Sequence, residues 1–337
     1  MDVKCPTIGI DLLGGENSPK SILSGLVSLF GEIQSELQLV FFITPDCIEH
    51  YQNQLDSLND SPYIKIIFHS VVEWIDLEDH PVTAVKSKKE SSMHGGIHSL
   101  KMKEIDAFIS IGNTGALLIL SKIELNPIKG ISRPALLAMM PTRLGPVAVV
   151  DVGANLTCKP NQFVEFAEMG VAFQKTRGIE KPRVGILNIG SEELKGTQEI
   201  RNARTHIATK AKESPDRIPQ FLGNVESHAV FEGEVDVLVT EGFAGNIFLK
   251  TAEATSAFLI HEIKNRTPKK KSELEKVTTE LESQFCHEAY PGALLIGCDG
   301  IVIKCHSYSD SRAIMNAIIE SVRLIQEKLI EKISLQL

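Results

Sequence analysis

The 337-residue chain has few of the features that mark a metal protein, a nucleic-acid binder or a membrane-spanning protein. Its 6 cysteines include no CxxC pair, and no histidine spacing suggests a structural zinc site. No stretch approaches the ~20 apolar residues that a membrane span requires. A formal net charge of -8 gives no field that attracts DNA or RNA. We therefore expect reduced thiols, no metal, no organic cofactor and no nucleic-acid partner.

The chain also lacks a repeat of fixed period, a low-complexity tract and a linker-like stretch. With 43% hydrophobic residues it is long enough to bury a large core. We predict one α/β domain over residues 1–337. The strand-like run 7–10 follows no charged leader or apolar signal segment, so we expect a cytoplasmic protein.

What the sequence does contain is an alternation of apolar runs of strand length with stretches of helical period. The apolar runs are 7–13, 37–43, 63–68, 106–111, 135–140, 146–152, 183–189, 235–240 and 300–305. This alternation is typical of a mainly parallel sheet with helices on both faces, an α/β/α arrangement. The helical period also predicts helices over 83–103 and 309–335.

A further helical region is predicted over 247–285. Apolar residues occur on most faces of 247–263, a Pro and three consecutive Lys follow within 266–271, and a charged helix-like run covers 272–284. We interpret this region as a helix, a loop and a second helix that protrude from the domain or pair with another subunit.

Several strand-like runs end in glycine, asparagine and other polar residues. They are 111–118, 151–155, 187–190, 221–226 and 241–246. Strands that end in this way and then open a helix present unpaired N–H groups to a crevice, which suits an anion such as phosphate. The pattern indicates an enzyme that handles phosphate.

The motifs themselves have a characteristic order. They are Lys86–Met93, Gly112–Ala116, Arg133–Ala135, Asp151–Asn155, Phe166–Gly170, Asn188–Gly190, Phe221–Glu226 and Gly242–Asn246. In this order and number they resemble the bacterial phosphate acyltransferase family, which transfers a fatty acyl group from acyl carrier protein (ACP) or coenzyme A to inorganic phosphate. The resemblance covers almost the whole chain, whereas a single glycine motif would be unspecific.

The sequence departs from the family pattern at several positions. Glu16 and Glu241 stand where Asp is usual, and Ser307 stands where Gly is usual. Residues 227–229 and 291–294 also differ from the usual motifs. These departures leave the fold expectation unchanged and bear on the details of the site.

The resemblance implies attack by a phosphate oxygen on a thioester carbonyl, which releases the carrier thiol and leaves an acyl phosphate. Because phosphate is the nucleophile, no Ser-His-Asp triad is required. The protein must orient the phosphate and stabilise the oxyanion with fixed N–H or cationic donors. A thiolate leaves readily because its parent pKa is only ~8.5.

The candidate site residues lie in or near the matched motifs. The catalytic candidates are Lys195, Asn246, Lys250 and His306. The substrate-binding candidates are Asp11, Gly14, Gly15, Asn113, Thr114, Arg133, Asp151, Asn155, Asn224 and Glu226. Each cation either contacts phosphate or forms a surface salt bridge, and each asparagine either donates to substrate or only shapes a turn. The two aspartates either orient a charge or cap the following helix, and His306 is either a proton carrier or a structural histidine.

Two further features of the sequence have both a structural and a functional interpretation. Cys158 follows the 151–155 run and is either an acyl-enzyme nucleophile or, as we prefer, a small packing residue. The lysine clusters 86–89 and 269–271 are either solvated surface or a docking site for acidic ACP.

The resemblance also implies partners. It implies a homodimer, for which the candidate surface is Phe248, Leu249, Phe258, Leu259, Ile260 and Ile263. The same surface could form an acyl-chain channel or touch a membrane. Peripheral membrane contact would deliver the acyl phosphate to a membrane acyltransferase.

Three alternatives remain open at this stage. A phosphate acetyltransferase shares the chemistry but uses a short acyl group on coenzyme A. A nicotinamide-dependent dehydrogenase is weakly supported because no GxGxxG follows a strand. An inactive ACP-binding scaffold protein would explain the departures at 227–229 and 307.

Overall fold

The computed structural model describes residues 5–33, 35–56, 63–266, 276–281 and 292–337. The chain forms two compact units. The first contains the residues up to Pro127 together with Cys298–Ile330, and the second contains Ile128–Gly297 together with Glu331–Leu337. The expectation of one domain over 1–337 stays a prediction.

Parallel strands form the centre of the first unit. They are β1 (Thr7–Asp11), β2 (Leu37–Ile43), β3 (Ile64–Ser70), β4 (Ala107–Ser110) and β11 (Ile301–Lys304). Their order is β3-β2-β1-β4-β11, and every neighbouring pair is parallel. The carboxyl ends of all these strands therefore lie at one edge of the sheet.

Helices connect the strands of the first unit. They are α1 (Pro19–Leu29) with the short 3-10 helix Phe30–Glu32, α2 (Pro45–Asp56), α3 (Pro81–Ser87), α4 (Ser92–Lys101), α5 (Thr114–Glu124) and α11 (Ser311–Gln326). Every residue of β4 is buried. Because successive side chains of a strand point to opposite faces, both faces of β4 must be covered. Both α4 and α11 pack against it, so helices lie on both faces.

The second unit is built around a mixed set of strands. They are β5 (Ala135–Met140), β6 (Val147–Val150), β7 (Arg183–Leu187), β8 (Gln220–Val225), β9 (Val237–Val239) and β10 (Ala293–Ile296). Their order is β10-β5-β6-β9-β7-β8. The β10–β5 and β5–β6 pairs are antiparallel, whereas β6, β9, β7 and β8 are mutually parallel neighbours. The carboxyl ends of these last four strands share one edge.

The helices of the second unit cover its parallel strands. They are α6 (Pro160–Thr176), α7 (Gln198–Glu213), α8 (Ser227–Glu232), α9 (Gly242–Arg266) and α10 (276–281), and α12 (Leu329–Gln336) begins in the first unit and ends in the second. Both α6 and α9 contact β6, whose residues are all buried. The predicted fold class, α/β with a mainly parallel sheet, is confirmed.

The structure corrects some element boundaries. Each predicted apolar run contains a strand, and β8 covers most of the predicted strand-like run 221–226, but β10 was not predicted. The predicted helix 83–103 is two helices, because Ser91 adopts an extended backbone and forms the N-cap that precedes α4. The predicted helix 309–335 is also divided, since Lys328 has a φ of 53° between α11 and α12. In the predicted 247–285 region, 267–275 and 282–285 lie outside the described residues, so its protrusion stays a prediction.

Within the part of the chain that the structure describes, no helix combines the length and apolarity needed to cross a membrane.

The amino ends of β7 and β9 are joined by one ion pair. The Asp236 carboxylate accepts from the Arg183 backbone N–H at 2.7 Å and from the guanidinium Nε and Nη2 at 2.9 Å each. We expect Asp236→Ala to lower the free energy of unfolding by about 2 kcal/mol, because three hydrogen bonds to a half-buried charge are lost. Urea titration followed by circular dichroism measures this.

The exposed pair between Arg143 and Glu232, 2.6 Å apart, supplies the control. Glu232→Ala should change the free energy of unfolding by less than about 0.5 kcal/mol, since exposed pairs contribute little. Equal effects of the two substitutions would contradict the expectation.

Candidate active site

Three polar residues form a row at the carboxyl ends of adjacent strands in the first unit. Asp11 ends β1, Ser110 ends β4 and Lys304 ends β11, and the register pairs Ser110 with both of the others. All three are buried. The row lies where the strand order reverses direction along the chain, which is the place where open α/β sheets bind ligands.

Both charges of this row are satisfied by protein groups. The Ser110 hydroxyl donates to Asp11 Oδ2 at 2.9 Å, and the Leu13 N–H donates to Oδ1 at 3.1 Å. The Lys304 ammonium donates to the carbonyls of Ile111, at 3.3 Å, and Cys305. Burial raises the pKa of Asp11 to about 6, against the opposing effect of its hydrogen bonds and of Lys304. Asp11 therefore holds the loop after β1 rather than reaching into solvent.

Asn113 is likewise committed to the fold. Its side-chain oxygen accepts from the Ala116 N–H at 3.0 Å, which caps α5. Its amide nitrogen donates to the carbonyls of Asp76, Leu77 and Asp79 at 3.1 to 3.2 Å. The amide thus shapes a turn, as one of the two sequence interpretations expected. Thr114 begins α5 and is half-buried.

The glycine pair after β1 packs against the loop that carries His306. A Cβ on Gly15 would lie 2.9 Å from the Ser307 carbonyl oxygen, and one on Gly14 would lie 2.2 Å from another backbone carbonyl. Gly14 also has a φ of 70°, which favours glycine. Half-buried His306 stacks on Tyr308 with ring centroids 5.1 Å apart.

Two of the departures from the family pattern contact each other. The Ser307 hydroxyl donates to Glu16 Oε1 at 2.5 Å, and the Glu16 N–H donates to the Ser307 carbonyl at 2.8 Å. The longer side chain of Glu, compared with Asp, reaches the hydroxyl that replaces glycine. The two changes are therefore structurally matched.

At the equivalent edge of the second unit, Asp151 organises the loop after β6. Its carboxylate accepts five hydrogen bonds of 2.7 to 3.0 Å: from the N–H groups of Leu136, Gly153, Ala154 and Asn155 and from the Asn155 side-chain amide. Asp151 is fully buried. Burial raises its pKa, while these hydrogen bonds act in the opposite direction. Since a carboxylate has about four lone-pair positions, none is left for a substrate.

The first turn of α9 packs directly onto this loop. The Gly242 N–H donates to the Asn155 carbonyl at 2.8 Å. A Cβ on Gly242 would lie 2.7 Å from that carbonyl oxygen, and one on Gly245 would lie 2.0 Å from the Asp151 carbonyl oxygen. Only glycine permits so close an approach, which explains both glycines of the 241–246 run.

Asn246 lies at this junction. Its side chain is 3.8 Å from the position of a Cβ on Gly153, and it is half-buried. Lys250 follows four residues later and is exposed, so both lie on one face of α9. The structure thus brings Asp151, Asn155 and Asn246 together.

Cys158 lies below the same loop in an environment unsuited to a nucleophile. The thiol is buried, and burial with the nearby charges of Asp151 and Glu241 raises its pKa to about 12. Exposed Arg133 lies close enough to oppose this effect. Cys158 is a packing residue. The described cysteines are not joined in disulfides, and Cys286 lies outside the described residues.

The loop after β7 carries Lys195. The lysine is exposed, and its ammonium lies 3.9 Å from the Glu192 carboxylate. The loop is held by Asn188, which donates to the Lys195 carbonyl at 3.1 Å, and by Asn224, which donates to the Glu192 carbonyl at 2.7 Å. Glu226 occupies the N-cap position of α8. Asn224 therefore supports the loop that carries Lys195.

The predicted site residues fall into two groups. Asp11, Gly14, Gly15, Asn113, Thr114 and His306 belong to the first unit, and the rest belong to the second. Sequence reasoning missed Ser110 and Lys304. The only signal for Lys304 is a lysine that ends an otherwise apolar strand. Among the residues that the structure describes, no group of three or more His, Cys, Asp or Glu is placed to hold a metal.

A comparison with solved structures shows which proteins share this fold. A phosphotransacetylase from Streptococcus pyogenes aligns with a TM-score of 0.63 over 96% of this chain and 95% of that one, at 16% identity. A branched-chain phosphotransacylase from Enterococcus faecalis aligns with a TM-score of 0.54 over 96% of this chain and 99% of that one, at 14% identity. The chain thus has the α/β fold of these proteins.

Sequence comparison is more specific. Residues 6–332 match the model of the family described as fatty acid synthesis protein. The phosphate acyltransferase of Chlamydia pneumoniae is 38% identical over 97% of each chain. That of Petrotoga mobilis is 36% identical over 97% of this chain and 98% of its own. The chain belongs to the phosphate acyltransferase family and is an acyltransferase enzyme.

The buried Asp11 predicts a pH dependence of stability. Its folded-state pKa of about 6 exceeds the ordinary aspartate value of 3.8, so the folded chain binds this proton more tightly than the unfolded chain. The stabilisation of the folded chain by protonated Asp11 is complete below pH ~4 and is lost as the pH rises to about 6. Relative to Asp11→Asn, we expect the wild-type free energy of unfolding to fall by about 3 kcal/mol across this window.

Urea titrations of both proteins at several pH values measure this difference. Parallel pH profiles between pH 4 and 6 would contradict the assignment.

Proposed function

We propose that this enzyme transfers a long-chain fatty acyl group from acyl-ACP to inorganic phosphate, which gives an acyl phosphate and free ACP for phospholipid synthesis. The observation that carries the proposal is the near full-length match to relatives named phosphate acyltransferase, within a family described by fatty acid synthesis. The name of these relatives supports phosphate as the acceptor and acyl transfer as the reaction. The family description supports a fatty acyl donor.

The start of α9 supports a phosphate site. The first N–H groups of a helix have no intrahelical partner, and the helix dipole favours an anion there. In α9 the Gly242 N–H is occupied by the Asn155 carbonyl, and the N–H groups of Phe243 and Ala244 follow it. The five hydrogen bonds of Asp151 fix the loop beneath this turn, so the donors are oriented before substrate binds.

Side chains on the same face of α9 add to these donors. Asn246 offers a neutral amide, and Lys250 adds a positive charge one turn further along. We assign Asn246 to the phosphate or the developing oxyanion and Lys250 to the phosphate charge. Lys195 is the further cation of this unit that we assign to the reaction, since its contact with Glu192 is long and exposed.

The reaction needs no covalent enzyme intermediate. A phosphate oxygen attacks the thioester carbonyl carbon, the C–S bond then breaks with its electron pair on sulfur, and the phosphate proton passes to the leaving thiolate to give the free thiol. His306 stays the sequence-based candidate for this proton transfer. The high pKa of Cys158, about 12, argues against the competing acyl-enzyme route.

For the carrier, we propose that exposed lysines of α3 and its following turn attract acidic ACP. Lys86 and Lys89 are exposed, whereas Lys88 is held by Asp79 at 2.6 Å. The lysines 269–271 lie outside the described residues. Long-range attraction of this kind mainly raises the association rate and is screened by salt.

We further propose a homodimer formed through α9, whose Phe258, Leu259 and Ile263 are exposed. Burial of such a surface against a second copy is its commonest use in soluble proteins. Peripheral contact with a membrane, close to a membrane acyltransferase, is the second proposal for this surface. Sedimentation and vesicle flotation separate the two.

The reaction itself is tested by release of free thiol from palmitoyl-ACP with and without inorganic phosphate, with hydroxylamine to trap the acyl phosphate. We expect phosphate-dependent thiol release and an acyl hydroxamate. Turnover of acetyl-CoA in preference to palmitoyl-ACP would instead identify a phosphate acetyltransferase. ACP binding without any turnover would identify a scaffold protein.

Substitutions on α9 test the phosphate site. We expect Asn246→Ala and Lys250→Ala each to lower phosphate-dependent kcat/KM at least about tenfold, because each removes a donor to charge that develops in the reaction. Lys195→Ala should act in the same direction. Lys212→Ala, at an exposed position of α7, is the control and should leave kcat/KM unchanged. Equal activity of the Lys250 and Lys212 variants would remove Lys250 from the site.

Charge reversal tests ACP docking. The double substitution Lys86→Glu and Lys89→Glu should raise KM for palmitoyl-ACP about fivefold to tenfold at low salt, because attraction becomes repulsion. KM for an acyl-pantetheine, which carries the same thioester without the ACP polypeptide, should not change. Lys181→Glu, at an exposed position of the second unit, is the matched control. A change in KM for both donors would argue against a docking role.

A further inference from the structure

The first unit contains a cleft of about 640 Å³ at the carboxyl ends of its strands. Its walls are the loop after β1, from Leu12 to Pro19, the start of α2, from Thr44 to Cys47, and the loop after β3 with Val72, Trp74 and Asp76. The volume falls within the range of ~300–1,000 Å³ that is usual for small-molecule sites. The question is what kind of ligand this cleft accepts.

The charges of the cleft disfavour an anion as its ligand. Among the described residues that line it, the charged side chains are Glu16, Asp46 and Asp76, and none is Lys, Arg or His. Two helices start at the cleft, but Pro19 and Pro45 occupy the first positions of α1 and α2. Proline has no N–H, so each helix start offers one donor fewer to an anion. Phosphate and an acidic protein surface are therefore both disfavoured.

The apolar surface of the cleft suits an uncharged chain. Trp74 is 39% exposed and Val72 is 69% exposed, while Leu12 and Leu13 form the buried floor. The Trp74 ring is fixed, because its Nε1–H donates to Asp76 Oδ1 at 2.7 Å. Covering an aromatic ring and a neighbouring exposed aliphatic side chain with an apolar ligand makes the free energy of binding more favourable.

We propose that this cleft binds the fatty acyl chain of the donor. The inference rests on the proposed function, since it identifies where the uncharged part of that substrate lies. It assigns a binding role to Val72 and Trp74 of the first unit. It also makes chain-length preference a property of the loops after β1 and β3.

The sequence supplies a direct reporter, because Trp74 is the single tryptophan of the chain. The experiment titrates the phosphate-free protein with S-acyl-pantetheines of two, six, eight and ten acyl carbons, and with pantetheine and inorganic phosphate alone. We expect saturable changes in tryptophan fluorescence with the longer chains, and an affinity that rises by up to about fourfold per methylene group buried. Pantetheine and phosphate alone should leave the emission unchanged.

A matched pair of substitutions locates the chain. Val72→Glu adds a charge at an exposed position of the cleft, whereas Val82→Glu adds one to α3 at a position that is 44% exposed and does not line the cleft. We expect Val72→Glu to weaken decanoyl-pantetheine binding at least tenfold and Val82→Glu to leave it unchanged. Circular dichroism of both variants checks their folding.

Several results would overturn the inference. An equal response to pantetheine alone would make the cleft a site for the pantetheine arm, and equal affinities of the two valine variants would place the chain elsewhere. Chain-length-dependent binding without phosphate-dependent turnover would support the cleft and refute the proposed reaction. Normal turnover with a chain-length preference unaffected by Val72→Glu would refute the cleft and keep the reaction.

Discussion

The carboxylate of Asp151 is the interaction on which the candidate site depends. It is fully buried, and its five hydrogen bonds gather the loop after β6, the start of β5 and the Asn155 side chain around one charge. Removing a buried acceptor of this kind leaves several N–H donors without partners, each at a cost of about 1–3 kcal/mol. The loop is therefore rigid, and α9 begins on a fixed base.

Asp11 and Asp151, the aspartates at the strand ends, each hold the loop that follows them in their own unit. Each is desolvated, has a raised pKa and accepts N–H or O–H donors from the loop that follows it. Asn246 and Lys250, the donors that we propose for phosphate, are by contrast half-buried and exposed. In both units the buried aspartate holds the loop that follows it.

Sequence periodicity located most strands and the glycine-asparagine loops, because buried strands and tight turns impose local patterns. It did not locate β10, a short antiparallel strand whose partner β5 lies far away in the chain. It also grouped Asn113 with the substrate-binding residues, although its hydrogen bonds run to 76–79. The role of Lys304 could not be predicted, since it depends on the register of β11 against β4. Long-range pairings decide such roles, and no local pattern encodes them.

The division of the chain has a consequence for its synthesis. The first unit takes its strands β1 to β4 from the residues before Pro127, but its fifth strand, β11, comes only from Ile301–Lys304. Nearly the whole second unit is translated in between. On the ribosome, β4 can pair with β1 but lacks its second parallel neighbour until β11 emerges, so one edge of β4 remains open during that interval. Completion of the first unit is thus one of the last events in the biogenesis of this enzyme.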